Sequence, residues 1–225
     1  MRVMTWNLHS CIGCDGRRDP DRIARCIGAV RPDILAVQEV DIRPRWSDPV
    51  HLLDLIGEQA GVHRFETWTM SSPERDYGIA ILSRWPLSRS AVVDLAYRRR
   101  EPRRAIDATV ETPEGPVRVV STHFGLTAGE RSDQVRRLLK AMGPVEGPTI
   151  ALGDFNDWFW PGAVGRAMAP HFPSMITGRT FPARFPVFPL DRIFLTGDLR
   201  ARRVPVDIPW VASDHLAVVA DVSRV

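Results

Sequence analysis

The stretch Thr149-Ile150-Ala151-Leu152-Gly153-Asp154-Phe155-Asn156-Asp157 decides how the rest of the chain is read. Four residues with a β-compatible, mostly apolar pattern run into a glycine, and a carboxylate and a carboxamide then stand two positions apart where the chain must turn. This predicts a strand that delivers polar groups to a sheet edge. Alternation along an extended backbone puts Asp154 and Asn156 on one side and turns Phe155 into apolar packing on the other. A carboxylate able to take a proton from water, beside an amide able to donate to an oxyanion, suits hydrolysis of a charged ester. Taken alone, Gly-Asp-x-Asn is also an ordinary turn composition, so the choice between site and turn falls to the rest of the chain.

Working outward, residues 2 to 6 predict a buried strand that ends at Asn7, followed by a Gly- and Cys-containing loop to Arg18. Asp19-Pro20 reads as an N-cap with proline in the first turn, and Ile23, Cys26, Ile27 and Val30 follow at helical spacing. The apolar run Ile34-Leu35-Ala36-Val37 is a strand covered on both faces, ending in Gln38-Glu39. Ser47-Asp48-Pro49 repeats the cap-plus-proline signal ahead of a helix reaching Ala60. Residues 65–70 and 78–83 predict strands joined by a loop over 71–76. Residues 91–95, 105–111 and 117–121 predict three more, the last two as a hairpin through Thr112–Pro116, and the third delivers Thr122-His123. Thr127-x-x-Glu130 is a capping box for a helix with Val135, Leu138, Leu139 and Met142 on its apolar face and Arg131 and Gln134 near its start. Residues 158–190 are rich in proline and aromatics and carry only a short helix over 163–168. Strands over 192–195 and 216–222 close the chain.

Asn7, Glu39, His123 and Asp154 thus lie just past the C-terminal ends of apolar runs, while Asp191, Asp214 and His215 lie just before the N-terminal ends of others. If the last strands run antiparallel to the earlier four, all seven groups meet at one edge of the sheet system.

The chain has 225 residues, 44% hydrophobic and 25% charged, which bounds it to one soluble domain over residues 1–225 without an apolar run long enough to span a membrane. Its start is strand-like and lacks a signal-peptide core, so a cytoplasmic location is expected, as a monomer with no stable protein partner. A net charge of +3 permits an anionic substrate without demanding a nucleic-acid footprint. Arg98-Arg99-Arg100 and Arg103-Arg104 form the densest basic cluster, read either as a solvated loop or as a patch for nucleic acid or an anionic membrane surface. Cys11, Cys14 and Cys26 lack a second Cys/His pair at zinc spacing and are expected to be structural or incidental.

Thr5-Trp6-Asn7, Gln38-Glu39, Thr122-His123, Gly153-Asp154-Phe155-Asn156, Leu190-Asp191-Arg192-Ile193 and Ser213-Asp214-His215 together resemble the ordered motif set of the endonuclease/exonuclease/phosphatase superfamily, over residues 5 to about 219. The resemblance implies a four-layer α/β/β/α sandwich of two mixed sheets flanked by helices. It also implies a Mg²⁺- or Mn²⁺-dependent hydrolase that cleaves a phosphoester, most often a phosphodiester, by in-line attack of water. Glu39 would hold the metal, with Asn7 and Asp214 near the ion or its waters. Asp154 would orient and deprotonate the attacking water, and Asn156 would hold that water or a phosphate oxygen. His215, oriented by Asp191, would stabilise the transition state in its charged form, with His123 as a second donor. One departure stands out: AP endonucleases of this superfamily carry an acidic residue where this chain has His9. The substrate stays open between nucleic acid and a phospholipid or sphingomyelin-type head group, as diester or monoester. A binding module that has kept the fold but lost catalysis is the alternative from another class.

Overall fold

The computed structural model describes residues 1–43, 51–159 and 162–225; the expected cap at Ser47-Asp48-Pro49 and the ring of Trp160 lie outside them. The first half holds β1 (Arg2–Asn7), α1 (Pro20–Val30), β2 (Ile34–Ile42), α2 (Leu52–Ala60), β3 (His63–Ser72) and β4 (Arg75–Ser83). There follow β5 (Leu87–Asp94), β6 (Arg104–Thr112), β7 (Gly115–His123), α3 (Ala128–Met142), β8 (Thr149–Asp154), α4 (Ala163–Met168), β9 (Ser174–Thr177), β10 (Asp191–Leu195), β11 (Leu199–Arg203) and β12 (Val218–Arg224).

These strands form two six-stranded sheets, ordered β11-β12-β1-β2-β4-β3 and β5-β6-β7-β8-β10-β9. Each is built around a parallel pair, β1 with β2 and β7 with β8, and each pair has a late strand set antiparallel beside it, β12 on β1 and β10 on β8. The C-terminal ends of the four early strands and the N-terminal ends of the two late ones therefore share one edge. Strand alternation then divides the apolar residues between layers. Val3, Ile34 and Ile81 pack against Val119, Ile150 and Ile193 between the sheets. Met4, Trp6 and Val37 face outward under Ile23, Ile27 and Leu53 of α1 and α2. On the far side, Val120, Ala151 and Phe194 pack with Val135, Leu138 and Val164 of α3 and α4. The result is the expected α/β/β/α sandwich.

Helix ends follow the sequence closely. The Asp19 side chain accepts from the Arg22 N–H at 2.8 Å, Pro20 begins α1, and Arg31 ends it in the left-handed region at φ 56°. Thr127 and Glu130 close the capping box of α3.

Four local features differ from the sequence reading. Strand β2 does not end at Glu39 but continues to Ile42, because a β-bulge between Val37 and Val40 absorbs Gln38 and Glu39. Glu39 takes φ 55° there. Holding a non-glycine residue in that region costs about 1–3 kcal/mol, comparable with the contribution of burying one valine, and Val37 and Val40 on either side are both fully buried. Residues 71–76 are not an open loop: Ser71 pairs with Asp76 and Ser72 with Arg75, so β3 and β4 meet in a tight hairpin. Strands β9 and β11 lie at or next to sheet edges and carry little apolar signal. Finally, the extended backbone does not persist past Asp154, since Asn156 takes φ 49°.

Candidate active site

The site grows from β8. Gly153 sits at φ 143°, and a Cβ there would lie 2.0 Å from the Thr122 carbonyl oxygen, so only glycine lets β7 and β8 approach this closely just before Asp154. The chain then turns, and the Asn156 N–H donates to Asp154 Oδ1 at 2.9 Å. Asn156 does not stand beside Asp154 on a strand face. Its side-chain amide donates to the Phe124 carbonyl at 2.9 Å, tying the loop after β8 to the loop after β7.

Asp154 is almost completely buried, and three side chains converge on its Oδ2. Asn7 Nδ2 donates to it at 3.1 Å, His123 Nε2 lies at 3.5 Å and His215 Nε2 at 3.8 Å. Asn7 Nδ2 also donates to Glu39 Oε1 at 3.0 Å, while its oxygen accepts from the His9 N–H at 3.0 Å. Asn7 thus bridges two carboxylates with its NH₂ group and turns its oxygen away from them. The Tyr77 hydroxyl is buried beside Glu39 and hydrogen-bonds to it; desolvation, then the charges of Glu39 and Glu101, raise the tyrosine pKa and keep it a neutral donor. Asp214, partly exposed at the opposite rim, lies 3.7 Å from His9 Nδ1.

The two histidines are wired differently. His215 Nδ1 is 2.8 Å from Asp191 Oδ2, and the Trp6 indole N–H donates to the His215 carbonyl at 2.9 Å. Burial works against charge on this imidazole, but the carboxylates of Asp191 and Asp154 outweigh it and push the pKa up to about 10. His123 Nδ1 instead faces Arg103 Nη1 at 3.0 Å, and Arg103 is anchored by Glu101 at 3.1 Å. A guanidinium can only donate, so Nδ1 must accept and the ring proton resides on Nε2, pointing toward Asp154. Desolvation, reinforced by Arg103 and His215, holds His123 neutral well below the usual histidine range. Asp154 itself is raised to about 6, chiefly by desolvation, against the opposing pull of His215.

All eight residues expected from the sequence therefore lie at one edge of the two sheets. Asp154, His123, His215, Asp191 and Asn7 form a continuous contact set; Glu39 joins through Asn7, while Asn156 supports from behind and Asp214 stands at the rim. Arg103 and Tyr77 are additions to it. Arg131 and Gln134 brace the loop after β7 through Leu126 and Gly125.

The donor chemistry suits a hard divalent cation. Asp154, Asp191 and His215 bring ligand atoms within 4.8 Å of one another, but a charged imidazole has no lone pair to give and is already engaged by Asp191. The carboxylate of Glu39, linked to Asp154 through the Asn7 amide, offers oxygens of the kind that Mg²⁺ or Mn²⁺ prefers.

The Endonuclease/Exonuclease/phosphatase family profile matches residues 4–215. Among curated proteins, Escherichia coli K12 "Uncharacterized protein YbhP" is 26% identical over 246 aligned residues, covering 96% of this chain and 92% of that one. Among solved structures, an endonuclease/exonuclease/phosphatase from Beutenbergia cavernae superposes with a TM-score of 0.83 at 24% identity, over 99% of this chain and 71% of its own. The human Nocturnin catalytic domain with bound sulfate anion gives a TM-score of 0.76 at 24% identity, over 100% and 93%. Both structures speak to the fold. No helix among the described residues is long and apolar enough to cross a membrane. With the motif order, the layers and the family match in agreement, the chain belongs to the endonuclease/exonuclease/phosphatase family, whose members are generally phosphoester hydrolases.

Proposed function

We propose that this protein is a divalent-metal-dependent phosphodiesterase acting by in-line attack of water. The observation that carries the reading is the convergence of Asn7, a neutral His123 and a charged His215 on one buried carboxylate oxygen of Asp154. Asp154, with its pKa near 6, is ionised at neutral pH and accepts the proton of the attacking water. The Asn156 N–H and the Asn7 amide hold that carboxylate in one orientation. His215, fixed by Asp191, offers its Nε2–H to a phosphoryl oxygen as negative charge develops, and His123 offers a second, uncharged donor. Glu39 would hold Mg²⁺ or Mn²⁺, with Asn7 aligning its carboxylate and Asp214 at the rim of the site. When bound, the cation neutralises charge on the phosphoryl group.

The test is hydrolysis of bis(p-nitrophenyl) phosphate and of p-nitrophenyl phosphate with Mg²⁺, Mn²⁺ or EDTA, for the native chain and Asp154→Ala. Metal-dependent turnover, faster on the diester and lost in the variant, is expected. Activity that persists in EDTA or without Asp154 would defeat the mechanism.

A further inference from the structure

The exposed apolar side chains are distributed unevenly. Leu126, Phe159, Phe185, Val187 and Trp210 are 62, 75, 70, 55 and 45% exposed, and they make up most of the large exposed hydrophobics among the described residues. All five lie on the segments that run to or from the edge carrying the candidate site, Trp210 in a short 3-10 turn and the others on loops. Leu126 follows His123, Phe159 follows Asp154, Phe185 and Val187 precede Asp191, and Trp210 precedes Asp214. None is more than six residues from a site residue, a reach of at most roughly 20 Å of chain. The loop bearing Phe185 and Val187 is fastened to the centre: the Ala183 N–H donates to the Asp214 carbonyl at 2.7 Å, and the Phe181 ring lies 4.9 Å from the His215 ring.

Basic groups share this collar. The Arg184 guanidinium sits 5.4 Å from the ring centres of both Phe185 and Trp210. Arg98, Arg99 and Arg100 are exposed on the β5–β6 loop, whose Arg103 reaches His123. None of these four arginines pairs with a carboxylate among the described residues, so their charge faces solvent. Rings and aliphatic chains ringed by unpaired cations fit the boundary between anionic head groups and acyl chains, where apolar tips sink and guanidiniums meet phosphate. Leu126 and Val187 have no π face on which a base could stack, so single-stranded nucleic acid accounts for only part of the collar.

We infer that this face docks on the surface of an anionic phospholipid bilayer and presents a lipid head-group phosphodiester to the catalytic centre. The inference rests on the phosphodiesterase reading for its second half. The test is sedimentation of the full chain, in EDTA, with vesicles of phosphatidylcholine alone or mixed with phosphatidylglycerol. Two variants accompany it: Phe159→Ser/Phe185→Ser/Trp210→Ser, and Arg98→Gln/Arg99→Gln/Arg100→Gln. Binding to the mixed vesicles is expected, weaker with phosphatidylcholine alone and at high salt. Removing side chains that insert is expected to weaken it by about tenfold or more per buried residue, and the arginine variant to lose the preference for the anionic lipid. Turnover of the soluble diester stays unchanged in both. Failure to bind either vesicle at low salt, or variants that bind as the native chain does, would overturn the inference. So would a single-stranded oligonucleotide held more tightly than vesicles through the same residues, which would assign the face to nucleic acid. Loss of vesicle binding with intact soluble turnover counts against the docking face alone; absent soluble turnover with intact vesicle binding counts against the phosphodiesterase reading alone.

Discussion

His123 and His215 are both almost fully buried and both aim Nε2 at the same oxygen of Asp154, yet one is neutral and the other charged. The difference lies in what stands behind Nδ1. Asp191 begins β10 of one sheet and reaches His215, which precedes β12 of the other, so the pair also links the two sheets at this edge. Arg103 comes from the loop before β6 in the same sheet as His123 and turns that ring into an acceptor at Nδ1. Desolvation alone would have neutralised both. The comparison teaches that a second partner, rather than depth, sets the charge of a buried imidazole, and that one pair of like residues can present a cation and a neutral donor at one site.

The largest way to break the comparison is Asp191→Asn. Without the carboxylate, burial regains control of His215, its pKa falls from about 10, and the charged donor is lost at neutral pH. A fall in kcat of about 10²–10³-fold on bis(p-nitrophenyl) phosphate is expected. A smaller effect follows from Arg103→Met, which removes the positive neighbour and the fixed tautomer of His123. Its pKa then moves up toward the ordinary histidine range, read by NMR titration of the metal-free protein, and kcat/KM falls about tenfold, as for a lost supporting partner. The smallest is Thr127→Ala. It removes the α3 cap and costs about 1 kcal/mol in urea denaturation, and it leaves both imidazole pKa values where they were. A cap variant that moved either value would mean that the charge difference depends on overall packing instead of the two partners.

The fold was legible because apolar runs ended in polar residues at the right places. Val3 to Trp6, Ile34 to Val37 and Ile150 to Leu152 are buried on both faces and read as strands without help from context. The antiparallel order of the late strands followed from where Asp191 and Asp214 sit. What escaped was held by pairing or by conformation. Strand β11, Leu199–Arg203, is mostly arginine because it lies at a sheet edge, and nothing in its composition announces a strand. The bulge at Glu39 leaves no sequence mark, since glutamate is not the residue that a left-handed position favours. Arg103 hid in a basic cluster with a solvated reading, but the hairpin through residues 112–115 sets Ala105 opposite Thr122, and that register brings Arg103 beside His123. Asn156 was misplaced because alternation was carried one turn too far. Its backbone folds back to cap Asp154, and its amide serves the Phe124 loop.

The most direct test of the account is the pH dependence of kcat/KM for the diester, compared between the native chain and Asp191→Asn, from below the Asp154 pKa to above that of His215. The proposed mechanism needs Asp154 ionised and His215 charged. The native profile should therefore rise through about 6 and fall through about 10. In the variant the falling limb should move to lower pH while the rising limb, governed mainly by burial of Asp154, shifts far less. A falling limb that stays in place when Asp191 is neutral would contradict the claim that a charged His215 stabilises the transition state.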